Sequence, residues 1–258
     1  MLIPKSNKYP PIKYCIYCGE RNSSLLTDEH IIPFSLGGKL LLPQASCNSC
    51  AKVTRGITET IARSMYGRLR VRLDAPTRNR KERPSTFPLV VVNKNGIERQ
   101  VNIPATLWPR SYPVLILQEA GILSGIAPTE FQVQIRDHAE DISDLYERGF
   151  LRKDENIRFT AMLDAGVFCR QLAQIAHAFT MALIGSNGYQ DFLIPRIMNQ
   201  TIKPSDYFMY IGSVATDQEL QSQIALDILE RRGNSLVACR FQCLDLVGGF
   251  QLIRSFAG

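Results

Sequence analysis

The sequence lacks the features that mark membrane, secreted and disordered proteins. No run approaches the ~18 consecutive apolar residues that a membrane-spanning helix needs. The N-terminus has neither the apolar stretch nor the small-residue cleavage site of a secretory signal, so we expect a cytoplasmic protein with no membrane partner. There is no internal repeat and no low-complexity tract. The content of 45% hydrophobic and 21% charged residues is that of an ordinary globular protein.

The later part of the sequence also lacks recognisable catalytic motifs. After residue 87 we find no P-loop and no dinucleotide-binding glycine fingerprint. The size of this part of the chain suggests a role in target recognition, in a homodimer contact or in binding a protein partner.

Positive charge is abundant only in the first third of the chain. The net charge is +6, yet residues 1–83 hold 15 Lys and Arg against 6 Asp and Glu, and the remainder is net negative. This asymmetry indicates a polyanion partner, most commonly nucleic acid, whereas the alternative is a solvated basic surface. The side chains expected to contact phosphates are those of Arg55, Arg63, Arg68, Arg70, Arg72, Arg78 and Arg80.

Four of the seven cysteines form two closely spaced pairs. Cys15 and Cys18 are separated by two residues, and so are Cys47 and Cys50 after 28 intervening residues. In a cytoplasmic protein such pairs indicate a metal site rather than disulfides. Four thiolates suit a closed tetrahedral Zn²⁺ site, which would stabilise a domain too small to be secure on its own hydrophobic core.

The segment between the two cysteine pairs has the pattern of a hairpin that carries a histidine. Asp28 and Glu29 precede His30, an apolar pair follows, and Gly37-Gly38 marks a turn before a second apolar run. Apolar residues then recur every four positions from Val53 to Leu69, which predicts a helix over about 51–70. A strand, a strand and a helix around one histidine can present a general base and a metal ion to a phosphodiester.

The stretches CIYCG, TDEHIIPFSLGG and ASCNSC together resemble the HNH (ββα-metal) endonuclease family in its four-cysteine, zinc-bound form. The resemblance covers about residues 15–60. It implies that His30 is the general base and that Glu29 binds a catalytic Mg²⁺ or Mn²⁺, with Asp28 as the substitute ligand. The sequence departs from the family at Ala51, where many zinc-bound members carry a metal-binding Asn. Asn48 is the nearest replacement.

From these observations we expect an α+β protein in four parts: an N-terminal arm (1–14), a small zinc-bound ββα-metal domain (15–75), a basic linker (76–87) and a larger α+β domain (88–258). In the last part we expect an antiparallel sheet. Its predicted elements are a hairpin turning at Asn95-Gly96, strands at 114–118, 131–136, 206–213, 235–243 and 248–255, a short helix at 139–149, and one long buried helix at about 163–184.

The resulting hypothesis is a metal-dependent HNH endonuclease that hydrolyses DNA in bacterial or phage defence, restriction or mobile-element processing. The setting follows from family analogy alone. The first alternative is a degenerate HNH zinc protein that binds nucleic acid without cleaving it, a reading that Ala51 favours. The second is cleavage of RNA, which ranks lower because no aromatic and basic RNA-binding platform is evident.

Overall fold

The structure is a computed structural model. It describes residues 7–77, 79–126, 128–136, 139–159, 163–185, 193–198, 206–213, 224–231, 234–242 and 252–257. The helices are α1 (Asn48–Thr60), α2 (Gly67–Arg72), α3 (Gly121–Ser124), α4 (Ala139–Glu147), α5 (Ala165–Ile184) and α6 (Ile194–Met198). The strands are β1 (Leu26–His30), β2 (Leu41–Cys47), β3 (Thr86–Asn93), β4 (Glu98–Pro104), β5 (Tyr112–Leu117), β6 (Phe131–Arg136), β7 (Glu155–Arg158), β8 (Ile211–Ser213), β9 (Ile224–Arg231), β10 (Asn234–Gln242) and β11 (Leu252–Ala257).

The described strands form four small sheets, in the orders β1-β2, β8-β11-β10-β9, β4-β3-β7 and β5-β6. Wherever the register of these strands is defined, the pairing is antiparallel. The predicted α+β class, with antiparallel sheets and one long buried helix, is confirmed.

The chain forms two compact units, neither of which is continuous in sequence. The first unit comprises Met1–Thr60, Leu115–Gln132 and Asp164–Gly258, and the second comprises Ile61–Val114 and Val133–Leu163. The predicted linker, residues 76–87, lies in the second unit and contributes a 3-10 turn at Arg80–Glu82 and the start of β3. The linear division proposed from sequence stays a prediction about functional domains.

In the first unit, β1 and β2 form the predicted hairpin, and α1 follows β2 directly and packs against both strands. Gly38 permits the chain between the strands to close tightly, because a Cβ atom there would lie 1.8 Å from the carbonyl oxygen of Ile32. The described part of the N-terminal arm runs beside β2, with backbone hydrogen bonds from Tyr9 N–H to the Leu41 carbonyl and from Ile12 N–H to the Pro43 carbonyl, both 3.0 Å.

The prediction of a single helix over 51–70 is wrong. Instead, α1 ends at Thr60, a π-helical turn spans Ile61–Met65, and α2 begins at Gly67. A strict four-residue apolar repeat drifts around a 3.6-residue helix, and a wider π turn takes up that drift. The hydrogen bond from Tyr66 N–H to the Ile61 carbonyl, 3.2 Å, spans five residues as such a turn requires.

Helix α5 is the central helix of the first unit. Within that unit it packs against α1 and α6 and against strands β8, β10 and β11. Asp164 caps its N-terminus by accepting a hydrogen bond from Val167 N–H at 3.0 Å. In the described part of the chain, α5 is the one helix that is long and apolar enough to cross a membrane. However, 78% of its most apolar 18-residue window is buried, which is typical of a core helix.

The second unit contains the three-stranded sheet β4-β3-β7 and a compact apolar core. The predicted hairpin turning at Asn95-Gly96 is confirmed as β3 and β4. Leu89, Val91 and Ile103 of this hairpin are buried together with Trp108, Leu145 and Leu151. The predicted helix at 139–149 is present as α4.

Two strands, β7 and β9, were not predicted, because β7 has only four residues and Asp227 interrupts the apolar pattern of β9. The predicted strand at 206–213 is wrong in extent, since residues 206–210 form turns and only Ile211–Ser213 are extended. The predicted strand at 248–255 lies partly outside the described residues, which contain β11 from Leu252.

Candidate functional site

The four predicted cysteine ligands come together in the first unit. Their sulfur atoms all lie within 4.8 Å of one another, and the Sγ atoms of Cys18 and Cys47 are 3.7 Å apart. A tetrahedral zinc site with Zn–S bonds of ~2.3 Å requires sulfur separations of about 3.8 Å. These four cysteines are thus placed to bind one metal ion, and their chemistry and spacing suit structural zinc.

The cluster ties three pieces of chain together. Cys15 and Cys18 lie on a tight turn in which Gly19 N–H bonds the Cys15 carbonyl at 2.8 Å, with Gly19 at φ +80°. Cys47 is the last residue of β2, and Cys50 lies in the first turn of α1. A metal ion held here would therefore fix the hairpin, the helix and the loop before them in one arrangement.

His30 is the last residue of β1 and is half-buried. Its ring lies against the exposed ring of Phe34, with 5.8 Å between centroids. The hairpin thus leaves part of this imidazole exposed.

Glu29 precedes His30 on β1, and adjacent strand residues point to opposite faces. The Glu29 side chain is buried, at 6% exposure, and its Oε1 accepts hydrogen bonds from the Tyr17 hydroxyl and from Gln174 Nε2, both 3.0 Å. Burial raises the pKa of this carboxyl, while the two hydrogen bonds and the nearby His177 and Arg55 act in the opposite direction. Among the described residues, no hydrogen bond reaches its second oxygen, Oε2.

Asp28 lies two residues before His30, and the alternation of β1 places both on the face opposite Glu29. It is exposed, and its Oδ1 accepts a hydrogen bond from Gln44 N–H at 3.1 Å, where β2 bulges and Gln44 adopts φ +51°. The structure thus separates the two predicted acidic ligands onto opposite faces of one strand.

The remaining predicted metal ligand, Asn48, is exposed at the start of α1. Ala51 lies one turn further along that helix and is partly buried. No amide side chain stands at position 51 to serve as the ligand that the family resemblance implies there.

Several of the predicted phosphate-binding arginines are engaged inside the protein. In the second unit, Arg70 donates to the backbone carbonyls of Ala62 and Pro76 at 3.2 and 3.0 Å. Arg72 donates from Nε to the Trp108 carbonyl at 3.2 Å and lies 3.7 Å from the carboxylate of Asp141. These two guanidinium groups stabilise the fold, which leaves them less available to phosphate than the sequence suggested.

The other predicted arginines have more exposed positions. Arg55 on α1 and Arg63 on the π turn are exposed. Arg68 lies over the Trp108 ring at 4.6 Å, and Arg80 pairs with Asp74. Arg78 lies outside the described residues. Arg55 and Arg63 therefore remain candidates for phosphate contacts on the ground of their exposure.

Sequence reasoning missed the contribution of α5 to this site. Gln174 and His177 of this helix are both buried, and they contact Glu29 and the backbone of the first cysteine pair. His177 Nε2 lies 2.9 Å from the Ile16 carbonyl, inside the first cysteine pair, and its ring packs on that of Tyr17 at 5.4 Å. The only signal in the sequence was three polar residues, Gln171, Gln174 and His177, three apart on an otherwise apolar helix.

Comparison with known proteins identifies the part of the chain to which the site belongs. A family model described as HNH endonuclease matches residues 15–63. Searches of curated proteins and of solved structures found no match. The matched residues include both cysteine pairs, β1 with His30, β2 and α1. The predicted resemblance is confirmed for residues 15–63, which match the HNH endonuclease family model.

Proposed function

We propose that this protein is a metal-dependent endonuclease that hydrolyses phosphodiester bonds of DNA. The observation that carries the proposal is the placement of a half-buried histidine, His30, at the end of a hairpin that the four-cysteine cluster joins to a helix, within the HNH-matching segment. Structural Zn²⁺ is the metal proposed for Cys15, Cys18, Cys47 and Cys50.

His30 acts as the general base. A neutral imidazole can take a proton from water. As His30 takes the proton, the water oxygen bonds to phosphorus and the bond from phosphorus to the leaving oxygen breaks. The leaving oxygen takes a proton from solvent water and departs as an alcohol. The half-buried position of His30 supports this role, since the ring must reach both the water and the substrate.

Glu29 is the proposed ligand of a catalytic Mg²⁺ or Mn²⁺, through Oε2. Its Oε1 already accepts two hydrogen bonds, which leaves one carboxylate oxygen for a metal. Asp28 is the competing ligand because it shares a strand face with His30, and Asn48 is a further candidate at the start of α1. When bound, the divalent ion would neutralise charge that develops on the phosphate and the leaving oxygen.

DNA is the proposed substrate, with Arg55 and Arg63 as phosphate contacts. A cytoplasmic location and a role in bacterial or phage defence, restriction or mobile-element DNA processing complete the proposal, on family analogy alone. Target recognition or dimerisation through residues 88–258 is part of the same hypothesis.

A second candidate function is nucleic-acid binding without cleavage. It is favoured by Ala51, which offers no metal ligand, and by the burial of Glu29. On this reading the HNH fold persists as a zinc-stabilised binding surface.

The test is cleavage of supercoiled plasmid by the zinc-loaded full-length protein with Mg²⁺ or Mn²⁺. We expect the wild type to nick or linearise the plasmid and His30→Ala to lose ~10²–10⁴ of the rate, the usual contribution of a general base. Arg21→Ala, an exposed change outside the proposed site, serves as the matched surface control. Unchanged zinc content in His30→Ala would show that the fold survives.

Two further variants assign the metal ligand. Glu29→Gln is expected to weaken Mn²⁺ binding, read as free Mn²⁺ by electron paramagnetic resonance, whereas Asp28→Asn is expected to leave it nearly unchanged. The reverse result would move the ligand to Asp28. Tight DNA binding with no cleavage under any divalent ion would replace the nuclease proposal by the binding function, and cleavage of single-stranded RNA alone would replace its substrate.

A further inference from the structure

Helix α5, which begins at Ala165, reaches the buried carboxylate of Glu29 although it lies far outside the HNH-matching residues 15–63. The contact is a hydrogen bond of 3.0 Å from Gln174 Nε2 to Glu29 Oε1, between residues 145 positions apart. Both side chains are buried, at 3% and 6% exposure, so water competes little for either partner.

This contact is the last link in a chain of hydrogen bonds. The Thr58 hydroxyl of α1 donates to Gln171 Oε1 at 2.9 Å, and Gln171 Nε2 donates to Gln174 Oε1 at 3.3 Å. Gln174 then donates to Glu29. The chain starts on the HNH-matching segment, passes through two side chains of α5 and returns to that segment.

The acceptor oxygen Oε1 of Glu29 sets the direction of the whole chain. A carboxylate only accepts hydrogen bonds, so the amide nitrogen of Gln174 must face Glu29 and its oxygen must face Gln171. The same rule then orients Gln171, whose oxygen accepts from Thr58. Every donor in the chain thus points toward Glu29, an arrangement that favours its charged form and fixes its direction.

The helix is also anchored next to this chain. His177, one turn after Gln174, contacts the Ile16 carbonyl at 2.9 Å and packs on Tyr17. Tyr17 is the second donor to the same oxygen of Glu29, at 3.0 Å. The helix therefore supports both donors to Oε1, one directly and one through ring packing.

From this geometry we propose that Gln174 is a positioning residue of the nuclease site: with Tyr17 it engages Oε1 of Glu29 and leaves Oε2 oriented for the divalent ion. The inference rests on the proposed role of Glu29 as metal ligand. It makes α5, with Gln171 behind Gln174, a part of the metal site that the HNH-matching segment does not itself contain. Groups that orient a metal ligand typically change metal affinity by ~10–100-fold when they are removed.

The experiment measures Mn²⁺ binding to the zinc-loaded full-length protein by electron paramagnetic resonance, together with the Mn²⁺ concentration that half-saturates plasmid cleavage. Gln174→Met keeps the length of the side chain and removes the donor. We expect it to raise both Mn²⁺ values about tenfold. Gln171→Met, a change of equal size one helical turn away that leaves Glu29 its direct donors, is the matched control and should shift them less.

A double-mutant cycle separates positioning from general loss of packing. In a Glu29→Gln background, Gln174→Met should have no further effect on Mn²⁺ binding, because the residue acts through Glu29. An equal effect in both backgrounds, or no effect in the wild-type background, would overturn the inference. If Gln174→Met fails to fold, Gln174→Leu also removes the donor without adding a polar group, and it gives the same expectation.

Mn²⁺ binding by these variants distinguishes failure of the proposed role of Glu29 from failure of the proposed role of Gln174. If the wild type binds Mn²⁺ no better than Glu29→Gln does, the proposed role of Glu29 is wrong and the positioning role fails with it. If Glu29→Gln weakens Mn²⁺ binding and Gln174→Met does not, the nuclease proposal stands and only the role of α5 is overturned.

Discussion

The two units of the chain are stabilised in different ways. The first unit contains the four-cysteine cluster, and a buried polar network around Glu29 joins its HNH-matching part to α5. The second unit has an apolar core of Leu89, Val91 and Ile103 with their neighbours, bordered by arginine–carboxylate pairs. A buried polar network fixes side-chain geometry, and a metal cluster adds stability only while the metal is bound, whereas an apolar core stabilises a unit without a ligand. The first unit therefore contains the groups of the candidate site, whereas apolar packing stabilises the second unit.

The largest effect is expected from removal of the metal, on which the first unit should depend for its stability. Structural zinc contributes ~10–16 kcal/mol of apparent binding free energy in small zinc domains, so Cys47→Ser or a strong chelator should unfold the cysteine-bound part of the first unit. Trp108, the single tryptophan of the sequence, is buried in the second unit and reports on that unit alone. We expect loss of helical circular dichroism with little change in tryptophan emission. A red shift of that emission on chelation would show that the two units unfold together.

The converse change weakens the packing of the second unit. Leu89 is 1% exposed in the core of the sheet β4-β3-β7, and Leu89→Ala should cost ~2–5 kcal/mol of unfolding free energy. Urea unfolding followed by Trp108 emission should show the loss, while zinc content stays the same. Leu25→Ala, at a side chain 41% exposed in the first unit, is the control with the same chemistry and little burial. Loss of zinc in Leu89→Ala would contradict the separation of the two units.

The smallest expected effect concerns acid stability of the second unit. Arg99 pairs with Glu155 through two hydrogen bonds of 2.6 Å, and this pairing lowers the pKa of Glu155 to about 2. Because the folded-state pKa lies below the ordinary value of ~4.3, the pair stabilises the unit above that ordinary value. Its contribution is lost as the pH falls toward about 2.

Glu155→Gln should therefore lower the melting temperature at pH 7, by less than Leu89→Ala does, and flatten its decline between about pH 5 and pH 2. The measurement is thermal unfolding across that range, followed by Trp108 emission. Glu98→Gln, which disrupts the exposed pair with Arg158 on the same sheet, is the matched control and should change little. Parallel pH profiles for wild type and Glu155→Gln would contradict the prediction.

The ββα part of the site could be predicted because its signals are local. Two cysteine pairs, an apolar pair after His30 and the Gly37-Gly38 turn specify a cluster, a strand and a turn within a short stretch of chain. The π turn at Ile61–Met65 could not be placed, although the four-residue apolar repeat contained the drift that the turn absorbs. A repeat shows that a helix must adjust, but not at which residue.

The arginine cluster teaches the limit of charge counting. Arg55, Arg70 and Arg72 look alike in the sequence, yet Arg70 and Arg72 donate to backbone carbonyls of the second unit, and Arg72 also forms an ion pair with Asp141. Whether a guanidinium group faces solvent or a neighbouring carbonyl depends on residues such as Trp108 and Asp141, which lie tens of positions away. Composition therefore indicated an anionic partner but not which side chains are available to it.

The cysteine cluster, the hairpin with His30 and the resemblance to the HNH family could be predicted from the sequence, because each depends on residues close together in the chain. Only the tertiary structure decided which acid lies on which face of β1, and that Gln174 of α5 hydrogen-bonds Glu29. Alternation along a strand puts Asp28 and Glu29 on opposite faces, but it does not say which of the two faces is buried. A hydrogen bond between residues 145 positions apart exists only once the helix has packed against the hairpin unit, because no local preference encodes it.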